Sequence, residues 1–223
     1  MHQRKSKKIL IYFFLLFLIG SINNHHLNNV SFYKINNIEV IGLNEKENND
    51  IFRKIQNLDS KNIFFIDKDN YKDVLNSNPL VESYYVKKKY PSSIRIETQK
   101  TEFLAIINYN GKLNLIGSNG KLLEQSYSSK ILPYIFGSPE IDDFLVFYRK
   151  LNESKISYNE IRKLFFFPSK RWDIELKNKV LIKLPKENNI KLLNQVYDLL
   201  NEDQFKKINI LDARIKNQII INE

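Results

Sequence analysis

Residues 78–96 read NPLVESYYVKKKYPSSIRI, and the order of residue types in this stretch predicts the end of a helix followed by two strands. The helix must finish before Pro79, because the residue that precedes a proline is pushed away from helical backbone angles. The segments 80–89 and 92–101 then predict two strands. They are joined by a turn at Tyr90-Pro91.

Upstream of this stretch, the apolar spacing predicts one strand and two helices. Asn44 caps a first helix over residues 46–58, and Asp67 or Asp69 caps the second. With the two downstream strands, these elements predict a β-α-α-β-β domain over residues 32–101. The supporting apolar positions are Ile35, Ile38 and Val40 in the strand, Ile51, Ile55 and Leu58 in the first helix, and Tyr71, Val74 and Leu75 in the second.

Downstream, residues 102–223 predict a mainly antiparallel β domain with flanking helices, which places the chain in the α+β class. Asn110-Gly111 and Asn119-Gly120 separate three apolar segments, and both dipeptides are typical of type I′ hairpin turns. Further strands are predicted over residues 160–167, 171–177 and 180–184, with a final hairpin between INILDAR (208–214) and QIIIN (218–222).

Two helices are predicted within this β domain. The first begins at Ser138 and Pro139, as N-cap and first helical residue, and ends near Asn152. The second covers residues 187–201. The side chains expected to face inward are Ile141, Leu145, Tyr148 and Leu151 in the first helix and Ile190, Leu193, Val196, Tyr197 and Leu200 in the second.

The N-terminus has the pattern of a membrane-targeting segment, with a basic tail over residues 1–8 and the apolar run ILIYFFLLFLIGSI over residues 9–22. Such a run rises about 21 Å as a helix, against a hydrocarbon core of about 30 Å, so its length also suits a cleaved signal peptide. Because no A-x-A-like triplet follows, we predict an uncleaved transmembrane anchor. The basic tail then stays in the cytoplasm and the body of the chain lies outside.

The composition excludes several classes of active site. The 223 residues include no cysteine, and the three histidines are His2, His25 and His26. The region after residue 30 therefore offers neither a thiolate or histidine metal site nor a Ser-His-Asp triad. The acidic pair Asp142-Asp143 is adjacent on a predicted helix, where neighbouring side chains diverge. We expect no catalytic activity, no cofactor, no metal and no small-molecule substrate.

The charge balance alone suggests an anionic partner, since 35 Lys+Arg against 25 Asp+Glu give a formal net charge of +10. Without the basic residues of the tail, Arg4, Lys5, Lys7 and Lys8, the excess falls to +6. The rest of the chain lacks a clustered basic stripe with interleaved aromatic residues, which nucleic-acid binding would need. We therefore expect no nucleic-acid partner.

The motifs, in order and spacing, resemble those of the bacterial cell-division family FtsQ/DivIB. In that family, a cytoplasmic tail and one membrane anchor precede a POTRA domain and a β domain. Departures from the family pattern occur at Lys100 and Phe103, at Ile116-Gly117, and at Asn178-Lys179. The motifs that carry the resemblance are IEVIG (38–42) and residues 78–96 for the POTRA domain, and LPYIFG (132–137), RWDIEL (171–176), VLIKLP (180–185) and ILDAR (210–214) for the β domain.

The resemblance implies a non-catalytic bitopic scaffold of the divisome in the inner membrane, enriched at the division septum. It also implies partners, the FtsB/FtsL-like coiled-coil membrane proteins, which in the family bind the RW and LDxR regions and the last strand. The alternative is a POTRA-containing chaperone or transport-assembly protein of the cell envelope. That alternative predicts several POTRA units and a terminal β-barrel, and the sequence shows neither pattern.

The last strand is predicted to bind a partner by strand addition. If residues 217–222 lie at a sheet edge, their free N–H and C=O groups can pair with a partner strand. Arg171 and Arg214 can pair with partner carboxylates. A buried central strand over Ile219-Ile220-Ile221 is the alternative. Trp172 can equally be a core aromatic residue, and Asp212 with Arg214 an ordinary surface pair. The predicted partner-binding set is Arg171, Trp172, Asp212, Arg214, Ile215, Asn217, Ile219 and Ile221.

A second interaction edge is predicted in the POTRA domain. Tyr84, Val86 and Lys88 lie on one face of the strand 80–89. The basic run 87–89 is interpreted as a solvated face, with contact to anionic lipid headgroups as the alternative.

Overall fold

The computed structural model describes residues 3–22, 34–58, 63–64, 68–124, 131–202, 208–216 and 218–222. The chain divides into two compact units. The first unit comprises residues 1–74 and 85–97, and the second comprises residues 75–84 and 98–223.

The N-terminal helix α1 covers Gln3–Ile22. Its apolar side chains from Ile9 to Ile19 are exposed, between 38% and 72% of each. Among the described residues, no helix combines the length and the apolar character that crossing a membrane requires.

The elements predicted over residues 32–101 are present in the predicted order. They are β1 (Asn37–Ile41), α2 (Glu45–Gln56), α3 (Lys68–Ser77), β2 (Val81–Lys89) and β3 (Ser93–Lys100). In the described part of the chain, these strands form a sheet of order β1-β3-β2, in which β1 runs parallel to β3.

The predicted cap of α2 is confirmed. The Asn44 side chain accepts the Glu47 backbone N–H at 2.8 Å, and a Glu47 carboxylate oxygen accepts the Asn44 N–H at 3.3 Å. This reciprocal capping box satisfies two amides at the helix start. For α3, Asp67 lies outside the described residues, and Asp69 lies in the first helical turn.

Residues 102–223 form a larger sheet with helices. Its elements are β4 (Phe103–Tyr109), β5 (Lys112–Gly117), β6 (Leu122–Glu124), β7 (Tyr134–Phe136), α4 (Ile141–Glu153), β8 (Ile161–Phe166), β9 (Trp172–Leu176), β10 (Leu181–Lys183), α5 (Ile190–Leu200), β11 (Ile210–Asp212) and β12 (Ile220–Asn222). Within the described ranges, the strand order is β12-β11-β10-β9-β8-β7-β4-β5-β6.

The prediction of a mainly antiparallel sheet is confirmed in part, because five of the eight strand pairs among the described residues are antiparallel but the sheet is mixed. The pairs β4–β7, β7–β8 and β10–β11 are parallel, and the others are antiparallel. Parallel neighbours need a long crossover connection, commonly a helix. Here α4 connects β7 to β8, and α5 connects β10 to β11.

The two predicted hairpin turns differ from each other. Asn110 and Gly111 have φ angles of 54° and 78°, which confirms a type I′ turn. The second turn is longer, and only Gly120 has a positive φ, of 75°. The Asn119 side chain instead accepts the Lys121 N–H at 3.0 Å and donates to the carbonyl groups of Pro79 (3.1 Å) and Val81 (2.9 Å).

A cluster of polar side chains next to this turn extends the connection to residues 78–82. One Glu82 carboxylate oxygen accepts hydrogen bonds from the Thr101 hydroxyl at 2.8 Å and the Ser118 hydroxyl at 2.7 Å. Lys121 Nζ donates to the Asn78 carbonyl at 3.2 Å. All these residues belong to the second unit.

The helix α4 starts later and faces the core differently than predicted. Its N-cap is Glu140 rather than Ser138. The side chains buried in the core are Phe144, Phe147 and Leu151, whereas Ile141, Leu145 and Tyr148 are half-buried at the margin of the core. Phe144 and Phe147 lie on the inward face, where they pack against Trp172.

The helix α5 agrees better with the prediction. Asn189 caps it by accepting the Leu192 N–H, and Leu193 and Val196 are buried. The expectation that Tyr197 is buried is wrong, since 36% of it is exposed. Tyr197 follows Val196 directly and is therefore turned about 100° away from the core.

Candidate protein-interaction site

The last strand, β12, lies at the edge of the larger sheet in the part of the chain that the structure describes. It pairs antiparallel with β11, with Leu211 opposite Ile221. The alternative of a buried central strand is therefore wrong. Of the predicted strand 217–222, the structure assigns residues 220–222, and Asn217 lies outside the described residues.

The hydrogen bonds of β11 fix which backbone groups of β12 are free. The carbonyl of Asn209 accepts the Leu181 N–H, and the Ala213 N–H donates to the Lys183 carbonyl, both at 2.9 Å. The Asn209 carbonyl and the Ala213 N–H thus face β10, and by alternation so do the backbone groups of Leu211, whereas those of residues 210 and 212 face β12. The Asn209 N–H, just before the strand, donates to the Asn222 carbonyl at 3.0 Å.

Ile220 and Asn222 of β12 lie opposite Asp212 and Ile210, and their backbone groups therefore face β11. The N–H and C=O groups of Ile221, which lies between them, point away from β11. Ile221 therefore offers one outward donor and one outward acceptor at the sheet edge, which is the backbone pattern that a partner strand can extend.

The side chains of this strand alternate between the core and solvent. Ile219 and Ile221 are half-buried and pack against the core, whereas Ile220 is 44% exposed. Ile215, before the strand, is 53% exposed. The prediction that Ile219 and Ile221 present the apolar contacts is therefore reversed, since Ile220 and Ile215 are the isoleucines that face solvent.

Asp212 and Arg214 form a close ion pair just before this edge. Arg214 Nε lies 2.8 Å from Asp212 Oδ1 and 3.0 Å from Oδ2, and the Arg214 backbone N–H donates to Oδ1 at 3.1 Å. The hydrogen bonds from Arg214 hold the pKa of Asp212 below its ordinary value, and the same pairing raises the pKa of Arg214. The pair is solvated, so it contributes little to stability by itself, but it fixes the direction of the guanidinium.

Arg171 and Asp173 form the second ion pair, at the start of β9. Arg171 Nε lies 3.2 Å from Asp173 Oδ1, and the guanidinium carbon lies 4.1 Å from the centre of the Phe167 ring. Asp173 is 3% exposed, and its Oδ1 also accepts the Leu184 N–H at 3.3 Å. Burial raises the pKa of Asp173, and the positive charge and hydrogen bond of Arg171 partly oppose that shift.

Strand register joins the two ion pairs into one row across the sheet. Lys183 lies opposite Asp173 on one side and beside Asp212 on the other, and Asp212 lies opposite Ile220. The row therefore alternates acidic and basic residues and ends at an exposed isoleucine on the free edge. We call Arg171, Asp173, Lys183, Asp212, Arg214 and Ile220 the edge cluster.

The prediction from sequence missed Asp173, Lys183 and Ile220. Asp173 and Lys183 lie within the quoted motifs RWDIEL and VLIKLP. Side chains alternate between the two faces of a strand, so the positions of Asp173 and Lys183 in these motifs would have placed both on one face once the strand order was known.

Trp172 lies in the core, not on the surface. It is 4% exposed, and its ring stacks on Phe147 at 4.8 Å with further contacts to Phe144 and Phe166. Its contribution to the edge cluster is to anchor the start of β9 in the core, between its chain neighbours Arg171 and Asp173.

The predicted POTRA positions lie on β2, an edge of the smaller sheet within the described chain. Tyr84, Val86 and Lys88 are its half-buried positions, and Lys88 Nζ donates to the Phe64 carbonyl at 3.4 Å. The opposite face is more exposed, with 62% of Tyr85 accessible and Lys87 paired to Glu97 at 2.7 Å.

Comparison with known proteins gives two family matches along the chain. Residues 33–100 match the POTRA domain, FtsQ-type, and residues 105–214 match the C-terminal domain of the cell division protein FtsQ/DivIB. The first range includes the β2 edge, and the second includes the residues from Arg171 to Arg214 but ends before β12.

Individual relatives are cell division proteins named FtsQ or DivIB. The cell division protein FtsQ of Bradyrhizobium diazoefficiens is 27% identical over 71% of this chain and 48% of its own length. That of Bartonella bacilliformis is 23% identical over 97% of this chain and 74% of its own length. The cell division protein DivIB of Staphylococcus aureus is 33% identical over 55% of this chain, but the match spans only 24% of that relative. The chain thus spans from about a quarter to three quarters of these relatives.

Proposed function

The chain belongs to the FtsQ/DivIB family of cell-division proteins, and on that basis we propose that it is a non-catalytic scaffold of the divisome that binds partner proteins by strand addition at β12. It recruits and links division proteins at the septum. Its partners are the extracytoplasmic segments of FtsB/FtsL-like coiled-coil membrane proteins.

The strand register of β10, β11 and β12, from which the N–H and C=O groups of Ile221 point outward, is the observation that carries this proposal. A partner segment in extended conformation gains two backbone hydrogen bonds there, and it continues the ladder along the edge. The exposed side chains of Ile220 and Ile215 then offer apolar contact on the side away from the core.

The edge cluster places charged side chains beside the strand, where they favour a partner of complementary charge. Because Asp212 occupies Nε and Nη2 of Arg214, a partner carboxylate would approach the guanidinium at Nη1 or bind Lys183. An acidic residue that follows the added strand meets these groups, and such pairing raises the association rate and favours one register.

Membrane attachment belongs to the same proposal. The exposed apolar residues from Ile9 to Ile19 favour attachment through residues 9–22, and the basic tail before them favours a cytoplasmic N-terminus. The body of the chain then lies on the periplasmic side of the inner membrane, enriched at the septum.

The experiment is co-purification of the full chain with the FtsB/FtsL-like pair from the same genome. Ile221→Pro removes the outward donor and should weaken binding by about tenfold or more, because a partner carbonyl loses its hydrogen bond. Ile221→Val keeps the N–H and should bind as the unaltered chain does.

Folding is checked by circular dichroism for each variant. A folded Ile221→Pro variant that binds as well as the unaltered chain would refute strand addition at β12. Failure of the unaltered chain to bind the pair would refute the partner assignment.

A further inference from the structure

The start of β1 lies next to the turn between β2 and β3, at one end of the smaller sheet. The Asn36 and Asn37 N–H groups donate to the Ser92 carbonyl, at 2.8 and 3.3 Å. Asn37 also lies opposite Ser93 in the parallel pair β1–β3. Asn36 and Asn37 therefore lie at the turn between β2 and β3.

Two exposed aromatic rings lie at that same turn. Phe64 is 53% exposed and Tyr90 is 61% exposed, and their ring centres are 5.5 Å apart. Lys88 Nζ donates to the Phe64 carbonyl at 3.4 Å, so a cation lies beside the rings. Lys89, the next residue, is 3.8 Å from Glu39.

The charged side chains on this end of the strands are predominantly basic. Glu39 is held mainly by Arg95, at 2.7 Å, and Glu97 is held by Lys87. The charged residues on and next to these strands, from the turn inward, are Lys34, Lys87, Lys88, Lys89 and Arg95 against Glu39 and Glu97, an excess of three positive charges.

Exposed aromatic rings next to lysines are the side chains that lie at the boundary between a bilayer and water. Aromatic rings partition to the headgroup level, and lysines bind anionic headgroups while their alkyl stems lie along apolar surface. Only residues 23–36 separate Asn37 from the exposed apolar helix α1. Even fully extended, those residues span at most about 50 Å.

We infer that the β2–β3 turn, with Phe64, Lys88, Lys89 and Tyr90, is a docking surface for anionic phospholipid headgroups. This inference rests on the membrane attachment in the proposed function. The bilayer to which α1 attaches is then in contact with the turn, which orients the first unit with β2 rising from the membrane surface.

The test uses the full chain with the photo-crosslinking analogue p-benzoylphenylalanine in place of Tyr90, mixed with vesicles of phosphatidylcholine with or without phosphatidylglycerol. The matched control carries the same analogue in place of Tyr109, which is 52% exposed and precedes another hairpin turn. Flotation of the chain with the vesicles is measured in parallel.

Lipid adducts are expected at position 90 and not at position 109, and only with phosphatidylglycerol present. Lys88→Gln or Lys89→Gln should reduce the adduct yield by about fivefold per lysine. Lys112→Gln, next to the control turn, should leave the yield at position 90 unchanged.

The outcomes separate the two proposals. A chain that floats with the vesicles but gives no more adduct at 90 than at 109, or equal adduct without phosphatidylglycerol, overturns the docking surface and leaves membrane attachment in place. A chain that does not float overturns membrane attachment, and the docking surface with it.

Discussion

The indole ring of Trp172 and the phenyl ring of Phe147 lie parallel, with planes 6° apart and ring centres separated by 4.8 Å. This stack joins α4 to β9, whose first residue, Trp172, lies between Arg171 and Asp173 in the chain. Trp172→Ala should lower the free energy of unfolding by about 3–5 kcal/mol, and Trp172→Phe by less. Urea unfolding followed by circular dichroism measures both. Equal losses for the two variants would contradict a role based on aromatic packing.

Asp173 should make stability depend on pH. Its folded pKa is raised by burial, so the folded state holds this proton more tightly than the unfolded chain does. The resulting stabilisation is present below the unfolded pKa, about 3.8, and is lost as pH rises through the folded pKa. The stability of Asp173→Asn relative to the unaltered chain should therefore improve as pH rises across that window. Urea unfolding of both chains over a pH series tests this, and a constant difference would exclude it.

Asp212 should show the opposite dependence. Its folded pKa is lowered, chiefly by hydrogen bonds from Arg214, so its stabilisation is present above the unfolded pKa and is lost as pH falls through the folded pKa. Nuclear magnetic resonance titration of the Asp212 carboxyl group measures the pKa directly. In Arg214→Met, which lacks the guanidinium, the titration should move to higher pH; an unchanged midpoint would show that Arg214 does not cause the shift.

Two glycines with positive φ should respond differently to alanine. At Gly111 (φ 78°) a Cβ atom would meet nothing within 4 Å, so Gly111→Ala should cost only the backbone strain, about 1–2 kcal/mol. At Gly137 (φ 95°) a Cβ atom would collide with the Phe166 carbonyl oxygen, so Gly137→Ala should cost clearly more. Thermal unfolding compares the two variants, and equal melting temperatures would contradict the close approach of backbone at Gly137.

The Tyr158 hydroxyl donates to the Leu104 carbonyl at 3.0 Å, and burial raises its pKa above the ordinary value. Tyr158→Phe leaves that carbonyl without this donor, and should lower the free energy of unfolding by about 1–3 kcal/mol. Tyr109→Phe, at an exposed position, is the control and should have no measurable effect. A loss of equal size in both variants would assign the effect to something other than the buried hydrogen bond.

Local sequence signals predicted much of the fold. Asn44 with Glu47, and Asn110 with Gly111, act within a few residues of each other, so their short-range chemistry decides the result. The order of elements and the final hairpin followed from such signals. What could not be predicted depended on distant partners, as at Asn119, whose side chain bonds to Pro79 and Val81 rather than adopting a left-handed turn angle.

In the candidate site, too, local signals could be read from the sequence, whereas contacts between distant residues could not. The residue types near Arg171 and Arg214 were visible in the sequence, but three consecutive isoleucines give no alternation from which to tell the inward from the outward side chains. The orientation of Ile221 depends on how β11 bonds to β10, which is information from another part of the chain.

The hydrogen bonds between residues 78–82 and the turn at 118–121 have a consequence for exchanging parts between relatives. A chimera cut at residue 101 would take Asn78, Pro79 and Glu82 from one parent and Ser118 and Asn119 from the other. Its two halves would then meet with mismatched donors and acceptors, even though each half came from a stable protein. Inheritance of these two short segments as a single block should therefore govern which recombinants fold.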